Sequence, residues 1–197
     1  MNPTPSPEVG GAITALVQGR HQQPHDLLGQ HLEPGGLRIR VLKPLAQSVQ
    51  VRFEDGVTLD LAHEAEGVWT AVRADAERTM DYRLAVAWAD GIEHVQDDPY
   101  RFAPTLGEVD LHLVNEGRHE LLWTVLGSRL HEYDGPMGPV KGVAFAVWAP
   151  RAKAVRVIGD FNDWDGRIHP MRMLGGSGVW ELFVPDVGAG NIYKYEI

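Results

Sequence analysis

The chain contains one sequence pattern twice, about one domain length apart. Residues 36–51 read GLRIRVLKPLAQSVQV and residues 142–157 read GVAFAVWAPRAKAVRV, at a spacing of 106. Downstream, the Gly-Val-Trp of residues 67–69 recurs at residues 178–180, at a spacing of 111. Self-similarity at this period indicates two copies of one domain rather than an array of short repeats.

The second copy carries extra residues, because the spacing grows along the repeat. One insertion includes residues 159–164, Gly-Asp-Phe-Asn-Asp-Trp, where the first copy has the tighter turn of residues 53–56. Trp164 therefore has no counterpart, and its neighbours are turn-forming residues: Asn162, Asp163, Asp165 and Gly166. The pattern predicts that this loop displays Trp164.

Short alternating runs at residues 37–41, 49–53 and 82–86, separated by turn residues, are typical of antiparallel strands. They predict a mainly β protein with two tandem immunoglobulin-like antiparallel β-sandwiches, each preceded by short helices. The first helix should bury Val9, Ile13, Leu16 and Val17 on one face and end at Gly19.

Four segments are expected. Residues 1–10 form a disordered N-terminus, 11–103 the first sandwich, 104–130 a helical connector and 131–197 the second sandwich. The last strand alternates over residues 191–197, and the sequence ends inside it. The second sandwich is therefore predicted to be incomplete and the chain to be the front portion of a longer protein.

The formal net charge of −9 disfavours nucleic acid and anionic membranes as partners. The chain has no cysteine, which fits a reducing compartment, and its first residues lack the pattern of a signal peptide. The longest apolar stretch, residues 143–149, is too short to span a bilayer. These features predict a cytoplasmic location.

No catalytic motif is present: the chain has no phosphate-binding loop, no HExxH and no nucleophile elbow. His21, His25 and His31 lack the further ligands of a metal site, so no metal and no cofactor are predicted. Asp97 and Asp98 precede a proline, which favours a strand end and turn over a catalytic pair.

Five of the six tryptophans are expected to pack. Trp69 and Trp180 occupy equivalent positions, which indicates a shared packing role. Trp88 and Trp123 lie in apolar patterns and are predicted to be core or inter-element residues. Trp148 is open to two interpretations, burial in the sandwich or coverage by a neighbouring domain.

Trp164 is the candidate binding residue, because flat aromatic rings stack on the apolar faces of sugars while neighbouring polar groups bond the hydroxyls. Asn162 and Lys194 are the predicted polar partners; Lys194 lies on the strand face opposite Tyr193 and Tyr195. The alternative is that Trp164 packs against its own loop or another domain.

The second copy resembles the glycogen-binding module of α-amylase-type enzymes and of the AMP-activated kinase β subunit. The resemblance rests on residues 142–150, on VRVIGDFNDW at 155–164, and on residues 178–181 and 193–195. The connecting segment is similar to that of bacterial glycogen (1,4-alpha-glucan) branching enzymes, in DPYRF at 98–102 and PTLGE at 104–108. So is the upstream sandwich, opened by PHDLLG at residues 24–29.

This resemblance implies the N-terminal region of a branching enzyme that cleaves α-1,4-glucan chains and transfers them to α-1,6 branches in glycogen biosynthesis. The family's retaining carboxylates belong to a C-terminal (β/α)8 barrel, so none can be assigned here. The expected partners are α-glucan and that barrel, with Trp164 and Lys194 matching glucan-contacting positions of the module. Two alternatives remain open: a non-catalytic glycogen-binding or targeting protein, and a purely structural support for the barrel.

Overall fold

The computed structural model describes residues 5–197 and consists mainly of antiparallel strands. The helices are α1 (Pro7–Val17) and α2 (Glu108–Asn115). The strands are β1 (Gly29–Glu33), β2 (Gly36–Leu42), β3 (Ser48–Phe53), β4 (Thr58–Ala65), β5 (Val68–Arg73), β6 (Tyr82–Ala87), β7 (Glu93–Gln96), β8 (Gly127–Tyr133), β9 (Val140–Trp148), β10 (Arg156–Gly159), β11 (Arg172–Met173), β12 (Val179–Pro185) and β13 (Tyr193–Glu196). Single 3₁₀ turns lie at Pro24–Asp26, Pro99–Arg101, Leu122–Thr124 and Asp160–Asn162. The predicted fold class is confirmed.

The first sandwich is one continuous sheet that folds over on itself. Its strand order is β1-β2-β5-β4-β3-β6-β7, and the register of β4 shifts between His63 and Ala65. Residues 58–61 of β4 pair with β3 and residues 62–65 pair with β5, so β4 connects the two halves of the sheet; the bulge adds a local bend in the second part. The inward residues of both halves form one core: Leu37, Ile39, Val41, Val49, Val51, Phe53, Leu61, Tyr82, Leu84 and Val86.

The second sandwich places the sheet β11-β12-β9-β8 together with the pair β10-β13. Its buried core includes Val143, Phe145, Val155, Val157, Trp180 and Leu182. In β13, Tyr193 and Tyr195 are partly buried while Lys194 and Glu196 are exposed. The alternation predicted for this strand is therefore confirmed.

The two repeated tryptophans make the same hydrogen bond in both copies. The indole Nε1 of Trp69 donates to the backbone oxygen of Lys43 at 3.0 Å, and that of Trp180 donates to Ala149 at 3.0 Å. In the first copy the bond joins β5 to the residue just after β2. In the second copy it joins β12 to the residue just after β9. The shared packing role predicted from the repeat is confirmed.

The first residue of each repeated Gly-Val-Trp motif must be glycine because a proline backbone lies very close to it. Gly178 has φ +74, and a Cβ added there would lie 2.6 Å from the Cα of Pro150. Gly175 also has a positive φ, +56, but an added Cβ would meet nothing within 4 Å.

We expect Gly178→Ala to destabilise the protein more than Gly175→Ala, as measured by urea denaturation. Both changes carry the left-handed backbone cost of roughly 1–2 kcal/mol, and only Gly178→Ala adds the cost of a steric clash, about 1–3 kcal/mol. Equal losses in the two variants would contradict the proposed steric role of Pro150 at Gly178.

Helix α1 begins earlier than predicted. It starts at Pro7, and the hydroxyl of Ser6 accepts a backbone hydrogen bond from its first turn. Proline at the first helical position and a serine cap both stabilise a helix start. The predicted disorder of residues 1–10 is therefore wrong for residues 7–10, whereas residues 1–4 lie outside the described part of the chain.

Helix α1 packs on the second sandwich, although it precedes the first in sequence. Ile13 and Leu16 are fully or almost fully buried in the same cluster as the core of the second sandwich. The backbone N–H of Met173 also donates to the oxygen of Gln22 at 2.9 Å. The apolar packing thus crosses the division expected near residue 103.

The connector contains one helix that the sequence pattern missed and one that is shorter than predicted. None of the residues of α2 is fully buried, and only Leu111 and Val114 pack partly against a hydrophobic cluster, so its apolar stripe is short and weak as a sequence signal. The helix expected over residues 121–126 is a single 3₁₀ turn at Leu122–Thr124, and Gly127 opens β8 instead.

The prediction that Trp123 belongs to a core or packed position is wrong, since 71% of it is exposed. It lies on the 3₁₀ turn, which is too short to press a full face against either sheet. Trp148 is 57% exposed, which excludes its burial within the sandwich. Trp88 is partly buried against the first core.

His25 makes stability depend on pH. Both ring nitrogens are shielded and have no hydrogen-bond partner among residues 5–197, and the ring lies edge-on to Tyr100 at 5.1 Å. Burial, with smaller contributions from Arg172 and His31, lowers the pKa of His25 to about 2.

The unfolded chain binds a proton at His25 below about pH 6.5, whereas the folded chain does not until about pH 2. The free energy of unfolding should therefore fall as the pH drops from 7 to 5. We expect His25→Phe to reduce this loss by about 1–2 kcal/mol in urea titrations at the two pH values. An unchanged pH dependence in the variant would contradict the prediction.

Candidate functional site

The loop of residues 159–166, called here the Trp164 loop, leaves the end of β10 beside β13. Gly159 pairs with Tyr193, and Ile158 pairs with Lys194 in the antiparallel register. The loop therefore emerges next to the outward-facing side of β13. As a result, the Lys194 Nζ lies 5.7 Å from the centroid of the Trp164 ring.

The backbone conformation that exposes Trp164 is energetically unfavourable. Asp163 and Trp164 have φ values of 52° and 60°, two successive left-handed residues that are not glycine. This conformation is rare for a bulky side chain and costs of order 1–3 kcal/mol, so it points to a functional constraint. The side chain is 40% exposed, as the turn-forming neighbours predicted.

The second aromatic residue of the loop, Phe161, faces the opposite way. Its ring stacks on Phe145 in the core, with centroids 5.4 Å apart. The backbone N–H of Asp160 donates to Ile192 at 3.1 Å, and its carboxylate accepts from the Ile192 N–H at 3.0 Å. The Trp164 loop is therefore anchored at its base, which fixes the position of the displayed ring.

Asn162, the third predicted site residue, is 5% exposed and bonded within the protein. Its Oδ1 accepts from the Gly159 N–H at 2.9 Å. Its Nδ2 donates to the backbone of Val157 at 3.0 Å and contacts Nδ1 of His169 at 2.9 Å. The structure thus brings Trp164 and Lys194 together at the surface, while Asn162 holds the turn beneath them.

His169 completes this support, and no sequence pattern singled it out. Burial, with a smaller contribution from Lys43, lowers the pKa of His169 to about 3, so its imidazole is neutral near pH 7. A neutral ring accepts the Asn162 amide proton at Nδ1, which leaves the ring proton on Nε2. Neither His169 nor Phe161 could be found from the sequence, because both act through contacts between distant segments.

The acidic pair Asp97-Asp98 has a structural role, as the turn interpretation predicted. Asp98 is 1% exposed, and its carboxylate accepts the Tyr82 hydroxyl at 2.6 Å and the Tyr100 N–H at 3.2 Å. Within residues 5–197, no three His, Cys, Asp or Glu side chains are grouped to hold a metal. No helix in that range is long and apolar enough to cross a membrane.

Two family models match the chain. Residues 10–100 match the N-terminal domain of the alpha-1,4-glucan branching enzyme GlgB, and residues 126–197 match carbohydrate-binding module 48, the isoamylase N-terminal domain. Together the two matches include the strands of both sandwiches and leave residues 1–9 and the connecting segment 101–125 unmatched.

Curated relatives match along nearly the whole chain. The 1,4-alpha-glucan branching enzyme GlgB of Thermobifida fusca is 54% identical over 90% of this chain and 24% of its own length. That of Rhodococcus jostii is 51% identical over 94% of this chain and 25% of its own length. The chain thus spans about a quarter of the length of these relatives.

Among solved structures, a pullulanase from Paenibacillus barengoltzii in complex with maltohexaose and alpha-cyclodextrin covers 51% of this chain and 17% of its own. The identity is 23% and the TM-score is 0.34.

Proposed function

The chain belongs to the GlgB branching-enzyme family, where it corresponds to the N-terminal region with its carbohydrate-binding module, and we propose that it binds and positions α-1,4-glucan for branch formation. In this proposal the whole protein cleaves α-1,4-glucan chains and transfers them to α-1,6 positions in glycogen biosynthesis. We place this activity in the cytoplasm, where the reducing conditions agree with a chain that has no cysteine.

The pairing of Trp164 with Lys194 is the observation that carries the proposal. A partly exposed indole offers a flat apolar surface to one face of a glucose unit, and an ammonium 5.7 Å from its centroid can donate to the hydroxyls. Because Asn162 and Phe161 fix the loop, little side-chain entropy is lost on binding. Asn162 contributes to glucan binding through this support.

Affinity electrophoresis in a native gel that contains glycogen tests the proposal. We expect residues 1–197 to migrate more slowly as the glycogen concentration rises, relative to a protein without glucan affinity. Unchanged migration at all concentrations would contradict glucan binding by this region. An iodine-stain branching assay should show no activity for residues 1–197, since the retaining carboxylates are proposed to lie elsewhere in the whole enzyme.

We further propose that the exposed apolar side chains of the connector contact the catalytic barrel. The connector face comprises Leu121, Leu122, Trp123 and Trp148, which are 41–71% exposed. Leu122 and Trp148 line one groove of about 250 Å³. Exposed apolar surface of this kind marks an interaction site, and the relatives contain three further quarters of chain that could cover it.

Iodide quenching of tryptophan fluorescence can test this contact. In residues 1–197, Trp123 and Trp148 should be open to quencher; in the whole enzyme both should be protected, because the barrel covers them. Replacing the two residues by phenylalanine identifies their share of the signal. Equal quenching in the short and long proteins would argue against a contact at this face.

A further inference from the structure

A cleft between the two sandwiches lies behind the Trp164 loop. Its volume is about 620 Å³, within the range of roughly 300–1,000 Å³ found for small-molecule sites. The wall from the first sandwich includes Lys43, Trp88 and Gln96, and the wall from the second includes Asp163 and Asp165. Neither sandwich alone forms this cleft.

Lys43 lines the cleft with an incompletely paired ammonium. The residue is only 7% exposed, and burial lowers its pKa. Among the described residues, its Nζ has a single hydrogen-bond partner, Oε1 of Gln96 at 3.4 Å, although an ammonium has three donors. A buried donor without acceptors is costly, so this position favours a ligand that supplies oxygen atoms.

Gln96 adds a second free donor on the same wall. Its Nε2 is buried and has no hydrogen-bond partner in the part of the chain that the structure describes. Its Oε1 already faces Lys43, so the amide orients Nε2 away from that bond. Lys43 and Gln96 thus both line the cleft, and each keeps a donor without a partner among the described residues.

The opposite wall supplies acceptors. The Asp163 carboxylate makes no ion pair among residues 5–197, and Asp165 pairs with Arg167 at 2.6 Å on the rim. The pKa of Asp165 is lowered by its hydrogen bond from Arg167, so this carboxylate is ionised near neutral pH. Both carboxylates line the same cleft as Lys43, and carboxylates in the lining disfavour a phosphate and suit hydroxyl groups, which both donate and accept.

Trp88 provides an apolar surface in this polar cleft. It packs partly on the first core and also lines the cleft. Trp164 and Lys194 likewise place an indole beside a polar group, on the other side of the loop. Asp163 is the direct neighbour of Trp164, so the two surfaces meet at one turn.

We propose that the cleft is a second α-glucan subsite, in which Trp88 contacts a sugar face while Lys43, Gln96 and Asp163 bond hydroxyls. This inference rests on the proposed glucan binding and extends it, since one chain can pass from Trp164 over the loop into the cleft. The first sandwich then contributes residues to glucan recognition instead of acting only as a spacer.

Indole ¹H–¹⁵N NMR of residues 1–197 titrated with maltohexaose tests the subsite, with the Trp88 and Trp164 signals assigned from Trp→Phe variants. Both signals should shift in the wild type. Lys43→Met keeps an unbranched side chain, one atom shorter, and removes the charge. It should weaken the Trp88 response about tenfold and leave the Trp164 response intact. The matched control Lys153→Met, at an exposed lysine, should change neither response.

Asp163→Asn provides a variant that should keep the fold, because asparagine tolerates the left-handed backbone at this exposed position. It should weaken the Trp88 response several-fold. A static Trp88 signal alongside a shifting Trp164 signal would overturn the subsite and leave the proposed function standing. If neither signal moves, both the proposed glucan binding and the proposed cleft subsite are wrong. If inorganic phosphate but not maltohexaose shifts the Trp88 signal, the cleft binds an anion and its assignment to glucan is wrong.

Discussion

Trp164→Ala should reduce the affinity of residues 1–197 for glycogen at least tenfold, as measured by retardation in glycogen-containing gels. The expected loss follows from the removal of an anchored aromatic contact, since such central residues contribute about 2 kcal/mol or more at binding surfaces. The free energy of unfolding should change little, because the ring is 40% exposed and Phe161 anchors the loop independently.

Trp123→Ala is the matched control for this experiment. It makes the same chemical change at a residue that is 71% exposed and lies on the connector, away from the Trp164 loop. We expect it to leave glycogen retardation at the wild-type level. Equal retardation of Trp164→Ala and the wild type would contradict the proposed site, and equal losses in both variants would indicate non-specific adhesion of exposed tryptophans.

Arg172→Ala should lower the free energy of unfolding by about 3–5 kcal/mol, because it leaves a buried carboxylate without its partner. The Arg172 Nη2 lies 2.8 Å from Oε2 of Glu181, which is 0% exposed. The same guanidinium donates to the backbone oxygen of Phe102 at 3.1 Å, and Glu181 also accepts from the Thr105 N–H at 3.1 Å. The pair therefore fastens the start of the connector to the second sandwich.

Thermal unfolding followed by circular dichroism can measure this loss, which should lower Tm by roughly 10 °C in a chain of this size. Arg118→Ala is the control, because Arg118 pairs with Glu116 at 3.1 Å while 74% of its side chain is exposed. An exposed pair contributes about 0–1 kcal/mol, so Tm should hardly move. Similar changes in the two variants would show that the buried pair contributes no more than a surface pair.

The failures of the sequence analysis have a common physical cause. Trp123 lies in an apolar pattern yet is exposed, and α2 forms although only Leu111 and Val114 pack partly against a hydrophobic cluster. In both cases, packing against distant segments decides how much of the element is buried, and the local pattern does not specify that packing. Asn162 shows the reverse, because a turn-forming amide expected to contact sugar is buried against His169.

Residue spacing was enough to predict the duplicated sandwich, the shared packing role of Trp69 and Trp180, and the display of Trp164 by turn-forming neighbours. These features depend on contacts within a strand or turn, and residue spacing encodes such contacts directly. Three arrangements could be seen only in the folded protein: α1 packs on the second sandwich, the β10–β13 register brings Lys194 to Trp164, and Lys43 of the first sandwich lines a cleft together with the Trp164 loop. Those arrangements join segments far apart in sequence, where the energy depends on how whole faces fit together, and local periodicity does not specify that fit.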